Sequence, residues 1–268
     1  MQPMVNMALR AARKVGENIV RASDDLDRLD IKQKGQNDYV SQVDIAAEEE
    51  LIYLLKKSYP DHAFLGEETG LTGDEKAQYR WVIDPLDGTT NYLWGIPHYG
   101  LSLACLKDGV PEHAVVIDPV RREEFTASRG HGAQVNGRRM RVNNRPSLDG
   151  ALLGTGIPFK DHCDQHLSAY AKTLETLAGQ VAGVRRAGAA SLDLAYVAAG
   201  RLDAFWEIGL SNWDIAAGVL LVKEAGGLVA DVDGSDNYLR SGNIVCGSPK
   251  CFKSVLQVTR AQLAPSLQ

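Results

Sequence analysis

Two aspartates three residues apart, Asp84 and Asp87, end an apolar run in residues 81–91, WVIDPLDGTTN. Pro85 fixes its own φ and biases Asp84 away from helix, so both carboxylates can converge with the carbonyl of Leu86. Three hard oxygen donors then lie within four residues, with no His or Cys among them, and such a set selects a hard cation, Mg²⁺ above all. Gly88 lets the backbone approach a ligand closely, and a helix beginning at Thr89 or Thr90 would aim free N–H groups at an anion such as phosphate. Two cations bridged by a shared carboxylate stabilise the attacking and departing oxygens of an in-line phosphoryl displacement. Ordinary structure offers a competing account, with Asp84 and Asp87 as turn formers and Thr89 as a helix N-cap.

Other acidic positions weigh against that account. Glu67 and Glu68 end a short apolar run in FLGEETG, Asp214 follows Trp213 at the start of an apolar helix, and Asp44 precedes the second helix of the chain. A carboxylate at a helix N-terminus is favoured by about 0.3–1 kcal/mol, which by itself would account for Asp44 or Asp214. The set carries more weight than any member. No Walker A loop, dinucleotide-binding glycine fingerprint or G-x-S-x-G elbow points to another reaction.

These residues need elements to position them. Val5, Leu9, Ala12, Val15 and Ile19 recur at helical spacing over residues 4–22, as do Ala47, Leu51, Leu54 and Leu55 over 44–58, before Pro60. Residues 30–41 between them, polar and containing Lys34, read as a loop or hairpin. From Trp81 the pattern becomes WVID, GLSLACL, AVVID and EEFTAS, with Asp108-Gly109 and Asn136-Gly137 at tight turns, which predicts a mainly antiparallel sheet. After Pro146 the pattern predicts helices near 164–178, 190–199 and 213–225, the last two closed by Gly200 and Gly226. Strands DAFWEI, GLVADV and NIVCGS and a terminal helix accompany them. The expected class is a layered α/β arrangement in two tightly packed halves, residues 1–145 with most of the acidic set and 146–268 with Asp214.

The 268 residues carry 34 acidic and 29 basic side chains, net charge −5, and are 44% apolar. That balance excludes a disordered tail and a strongly basic nucleic-acid module, and no apolar run is long enough for a membrane span. Lacking a signal-peptide core, the chain is expected in the cytoplasm. Cys105, Cys163, Cys246 and Cys251 form no C-x-x-C pair and read as reduced, mostly buried thiols. The six histidines have no ligand spacing, and Trp81 and Trp213 read as packing residues. Residues 121–145 hold seven arginines against two glutamates, a local charge of +5 that leaves −10 elsewhere.

The chain resembles the inositol monophosphatase family. GEE at 66–68, WVIDPLDGTTN at 81–91 and WDIAAG at 213–218 are similar to that family's metal-binding glutamate and two signature regions, in the same order. GTGIPFK and RRAGAASLDLAYVAAGRLDAFWEIGL resemble its bacterial SuhB-type branch. The resemblance implies an αβαβα sandwich with a large antiparallel sheet and a smaller second sheet. It implies one Mg²⁺ at Glu67, Asp84 and the Leu86 carbonyl, a second at Asp84, Asp87 and Asp214, and a third through water at Glu67. Thr89 with Glu67 would orient the attacking water, Asp44 would support Thr89, the amides of Gly88 and Thr89 would bind phosphate, and Lys34 would lie on a loop closing the metal site. Asp214, Glu207 and the turn Gly188, Ala189 and Ala190 would contact the sugar-alcohol hydroxyls, Glu207 as an exposed carboxylate seven residues before Asp214.

The implied activity is lithium-sensitive hydrolysis of inositol 1-phosphate and related monoesters by a homodimer. Fructose 1,6-bisphosphate, a nucleotide 3′-phosphate or NADP are alternative substrates, and Ser211-Asn212 departs from the His-Cys pair of animal members. SuhB-type resemblance also implies a role in transcription antitermination with NusA and RNA polymerase, beside catalysis or in its place. Arg185, Arg186 and residues 121–145 are the candidate contacts, the last reading better as a solvated hairpin.

Overall fold

Pro3 opens helix α1 (Pro3–Ala22), which buries Val5, Leu9, Ala12, Val15 and Ile19 along one stripe, as their spacing predicts. The computed structural model describes residues 2–24, 31–35, 38–158 and 163–267, with the backbone alone for 31–35, 38–41, 163 and 164, so the side chains of Lys34 and Cys163 lie outside the described set. Strands β1 (Ile31–Gly35) and β2 (Asp38–Ser41) pair antiparallel, and helix α2 (Gln42–Ser58) follows. Asp44 lies inside the first turn of α2 rather than ahead of it, because the helix starts two residues earlier than the apolar periodicity shows.

Next come β3 (Ala63–Gly66), β4 (Gly70–Thr72), β5 (Tyr79–Asp87) and the short helix α3 (Thr89–Leu93). Then follow β6 (Gly100–Lys107), β7 (Val110–Asp118), β8 (Glu123–Ser128), β9 (Gly132–Val135) and β10 (Arg138–Arg139). These strands form an eight-stranded sheet in the order β10-β9-β8-β7-β6-β5-β3-β4. It is antiparallel throughout except that β3 runs parallel to β5. Asp108-Gly109 and Asn136-Gly137 make its two-residue turns with positive φ at both positions, the conformation that suits the strand twist.

Beyond it lie β11 (Leu152–Thr155), α4 (Cys163–Ala178), β12 (Gly183–Arg185), α5 (Ala190–Ala198), β13 (Ala204–Glu207) and α6 (Asn212–Glu224). The described chain ends with β14 (Leu228–Ala230), α7 (Tyr238–Ser241), β15 (Ile244–Gly247), α8 (Pro249–Gln262) and a 3₁₀ turn at Ala264–Leu267. A second, mixed sheet runs β12-β11-β13-β15-β14.

Alternation along the central strands explains the layering. Trp81, Ile83, Leu103, Cys105, Val115 and Ile117 face α1 and α2, while Val82, Ala104, Leu106, Ala114 and Val116 face α5 and α6. Both faces of the large sheet are therefore covered. Helices α5 and α6 also pack on the small sheet, whose far side carries Leu153, Trp206 and Val245 against α4 and α8. The result is an αβαβα sandwich. Cys105, Cys246 and Cys251 are free and buried. Among the described residues no helix is long and apolar enough to cross a membrane.

Candidate active site

A one-residue bulge in β5 builds the centre of the site. Asp84 pairs with Ser102 and Asp87 with Gly100, so three steps on β5 match two on β6. Side chains alternate along a strand, and in a regular β5 Asp87 would share a face with Trp81 and Ile83, toward α1 and α2. The extra residue turns it onto the face of Asp84, toward α5 and α6. There Asp87 Oδ2 accepts the Ser191 N–H at 2.7 Å and the Ser191 hydroxyl at 2.5 Å. The Leu86 N–H donates to Asp84 Oδ1 at 3.0 Å, which fixes the turn.

Gly88, with φ 95°, is the N-cap of α3, and Thr89 is its first helical residue rather than the cap. A Cβ at position 88 would stand 3.1 Å from the Gly188 carbonyl oxygen and 3.2 Å from that of His98, so backbone packs on backbone here. Asn91 holds the junction, its amide donating to the His98 carbonyl at 2.7 Å and the Ala187 carbonyl at 2.9 Å. The Thr89 hydroxyl lies within bonding distance of both Asp44 and the Leu86 carbonyl.

Asp214 combines the two accounts open to it from sequence. It is the third residue of α6 and takes the Ser211 N–H on Oδ2 at 2.6 Å, and it also lines the cleft. The Ser102 hydroxyl donates to the Trp213 carbonyl at 3.1 Å, tying the start of α6 to the strand beside Asp84. Glu67 follows β3, with its N–H on the Ile83 carbonyl at 3.2 Å.

Glu67, Asp84, Leu86, Asp87, Gly88, Thr89, Gly188, Ala189, Ala190, Glu207 and Asp214 all line one cleft of ≈ 290 Å³. Asp44 is buried behind Thr89. Burial, then the charges of Glu67, Asp87 and Asp214, pushes the Asp84 carboxyl well above its ordinary range. Burial and Asp214 push Asp87 up to about 7, against the Ser191 hydrogen bonds. The charges acting most strongly on Asp84 are all negative, a field that favours a bound divalent cation. Among the described residues no group of three or more His, Cys, Asp or Glu side chains is arranged to hold a metal ion. Mg²⁺ keeps several waters and needs only one or two direct carboxylates, so an oxygen-only donor set around a shared space suits it. The chemistry of the donors fits a hard divalent ion.

One expectation changes on the substrate side. Glu207 is not an exposed carboxylate: it ends β13 largely buried, beneath Gly156, and burial with Asp193, Asp214 and Asp87 raises its pKa well above the usual value, against Arg186. Arg186, exposed like Arg185 at the end of the edge strand β12, also lines the cleft. Asp193, buried on α5 and raised by its burial and Asp87, was missed by the sequence reading. Its signal was an acid inside the apolar run ASLDLAYVA. His166, which no spacing marked, also lines the cleft.

Comparison with known proteins follows the same outline. The chain is 58% identical over 270 residues, all of both chains, to a Pseudomonas aeruginosa protein named Nus factor SuhB. The fold matches the extragenic suppressor protein SuhB of Bartonella henselae with a TM-score of 0.93 and 40% identity, covering 97% of this chain and 99% of that one. It matches the inositol monophosphatase of Anabaena with a TM-score of 0.84 and 32% identity, over 97% of each chain. With residues 1–266 also matched by the sequence model of that family, the chain belongs to the inositol monophosphatase family.

Proposed function

We propose that the protein is a Mg²⁺-dependent phosphatase hydrolysing inositol 1-phosphate and related small monoesters. The bulge in β5, which turns Asp84 and Asp87 together toward Asp214, carries this reading. Glu67, Asp84 and the Leu86 carbonyl would hold one Mg²⁺, Asp84, Asp87 and Asp214 a second, with a third through water at Glu67. Bound there, the ions supply positive charge for the oxygens entering and leaving phosphorus. Thr89, its hydroxyl held by Asp44, orients the attacking water with Glu67. The Gly88 and Thr89 amides bind phosphate oxygens. Asp214, Glu207 and the Gly188–Ala190 turn receive the alcohol, with Arg186 beside them.

Phosphate release should disappear with EDTA and in Asp84→Asn and Asp214→Asn. Full activity in either variant overturns the reading. A panel of inositol 1-phosphate, fructose 1,6-bisphosphate, a nucleotide 3′-phosphate and NADP, compared by kcat/KM, selects the substrate, and Li⁺ inhibition is measured alongside.

A second reading rests on the name of the 58%-identical relative, Nus factor SuhB. In this reading the protein, a homodimer in the cytoplasm, also contacts NusA and RNA polymerase in transcription antitermination. Exposed Arg185 and Arg186 are candidate contacts, Arg186 also lining the cleft. Pull-down with NusA, using the wild type and Asp84→Asn, should succeed with both. Binding by neither rejects the role.

A further inference from the structure

Glu48 is fully buried and lines no part of the cleft, yet its carboxylate is heavily used. Oε2 accepts the Glu68 N–H at 2.9 Å, and Oε1 accepts the Thr69 N–H at 2.8 Å and the Thr69 hydroxyl at 2.6 Å. All three donors belong to the turn that leaves Glu67. Gly66, just before Glu67, closes on this carboxylate so tightly that a Cβ there would overlap it. The turn carrying Glu67 is therefore gripped on both sides by one buried side chain.

The placement of Glu48 on α2 adds a second fact. Asp44 and Glu48 are four residues apart on the buried stripe of α2 with Ala47, Leu51 and Leu55. Side chains at i and i+4 lie on the same helical face, about 6 Å apart along the axis. Asp44 bonds Thr89. One face of one helix thus holds both sides of the site, Thr89 through Asp44 and Glu67 through Glu48.

We propose that Glu48 is a positioning residue that fixes Glu67 relative to Thr89 through the Glu68 and Thr69 amides, and thereby sets how tightly the site holds its cation. This rests on the reading of Glu67 as a cation ligand. Residues that orient ligands in this way typically change metal affinity by about 10- to 100-fold when altered. Glutamine is a poor replacement, since only its carbonyl oxygen accepts and its NH₂ would face a donor. Aspartate keeps both acceptors but withdraws them by one methylene.

The test uses the full chain as wild type, Glu48→Asp and Glu48→Gln. Three quantities are measured: amide hydrogen exchange at Glu68 and Thr69 without Mg²⁺, the Mg²⁺ concentration for half-maximal phosphate release, and KM at saturating Mg²⁺. Glu48→Asp should remain folded, exchange faster at both amides and raise the Mg²⁺ half-saturation about 10-fold or more, with KM within about twofold. An unchanged half-saturation in both variants overturns the proposal, even if thermal stability falls, because that pattern is structural support alone. Unchanged exchange overturns it as well. Should Glu48→Gln fail to fold, Glu48→Asp decides. A wild type with no Mg²⁺ dependence but Glu48-dependent exchange would instead bring down the reading of Glu67, and the proposal with it, while leaving the tether in place.

Discussion

The Thr89 hydroxyl oxygen stands 3.0 Å from Asp44 Oδ1 and 3.0 Å from the Leu86 carbonyl oxygen. A hydroxyl has one proton, so it donates to one acceptor at a time and keeps its lone pairs for a water. Thr89→Ala removes that handle and should lower kcat by roughly 10²–10⁴-fold with little change in KM. Thr89→Ser keeps the hydroxyl and should retain most of the activity. Equal kinetics for the two variants would remove Thr89 from the reaction.

Asn91 links the turn after β5 to the loop before α5. In Asn91→Ala the His98 and Ala187 carbonyls lose their donor in a buried setting, at a cost of about 1–3 kcal/mol. The same change frees Gly88 to move against Gly188, so KM should rise with stability loss. Urea unfolding and steady-state kinetics check the two effects, and a KM equal to wild type would contradict the second.

The lowered pKa of His98 should make the fold acid-sensitive. Burial, then Arg121, holds its pKa below the ordinary histidine value, with Asp118 opposing, and its buried Nε2 has no hydrogen-bond partner among the described residues. The Tyr196 ring packs against it, 6.2 Å between centroids. The unfolded chain therefore takes up the proton first, so stability is full above pH of about 6.5 and declines as pH falls through that value toward the folded pKa. Urea midpoints at pH 7 and pH 5 should differ less in His98→Asn than in wild type. An equal difference would show that other groups carry the dependence.

We propose that the halves 1–145 and 146–268 unfold together. Helix α6, from the second half, packs on β5, β6, β7 and β8 of the first, and Val82, Phe125, Leu194 and Ile215 share one core. Calorimetry of the metal-free protein should give a single transition. Two resolved transitions would separate the halves.

Local signals were readable where one element settles the matter. The α1 stripe, the two Gly-containing hairpin turns and the Gly226 stop of the helix before it follow from nearest neighbours in the chain. Asp84 and Asp87 stood out because a buried strand ending in carboxylates is costly without a partner. Glu48 did not, although it falls on the same stripe as Leu51 and Leu55, because its partners lie 20 residues away in a turn whose shape the chain pattern does not encode. The burial of Glu207 likewise depends on where Gly156 comes to rest. The parallel pairing of β3 with β5 joins strands with β4 between them in sequence, which periodicity does not register.

The bulge between Asp84 and Asp87 makes the chemistry depend on a residue count. A strand has parity: every deletion or insertion of one residue exchanges inside for outside from that point on. Insertion of one residue between Pro85 and Leu86, with the bulge kept, would leave both aspartates in the chain and send Asp87 into the apolar layer with Trp81 and Ile83. The segment thus stores its function as spacing as much as composition, and a conservative substitution there is a smaller disturbance than a silent-looking change of length.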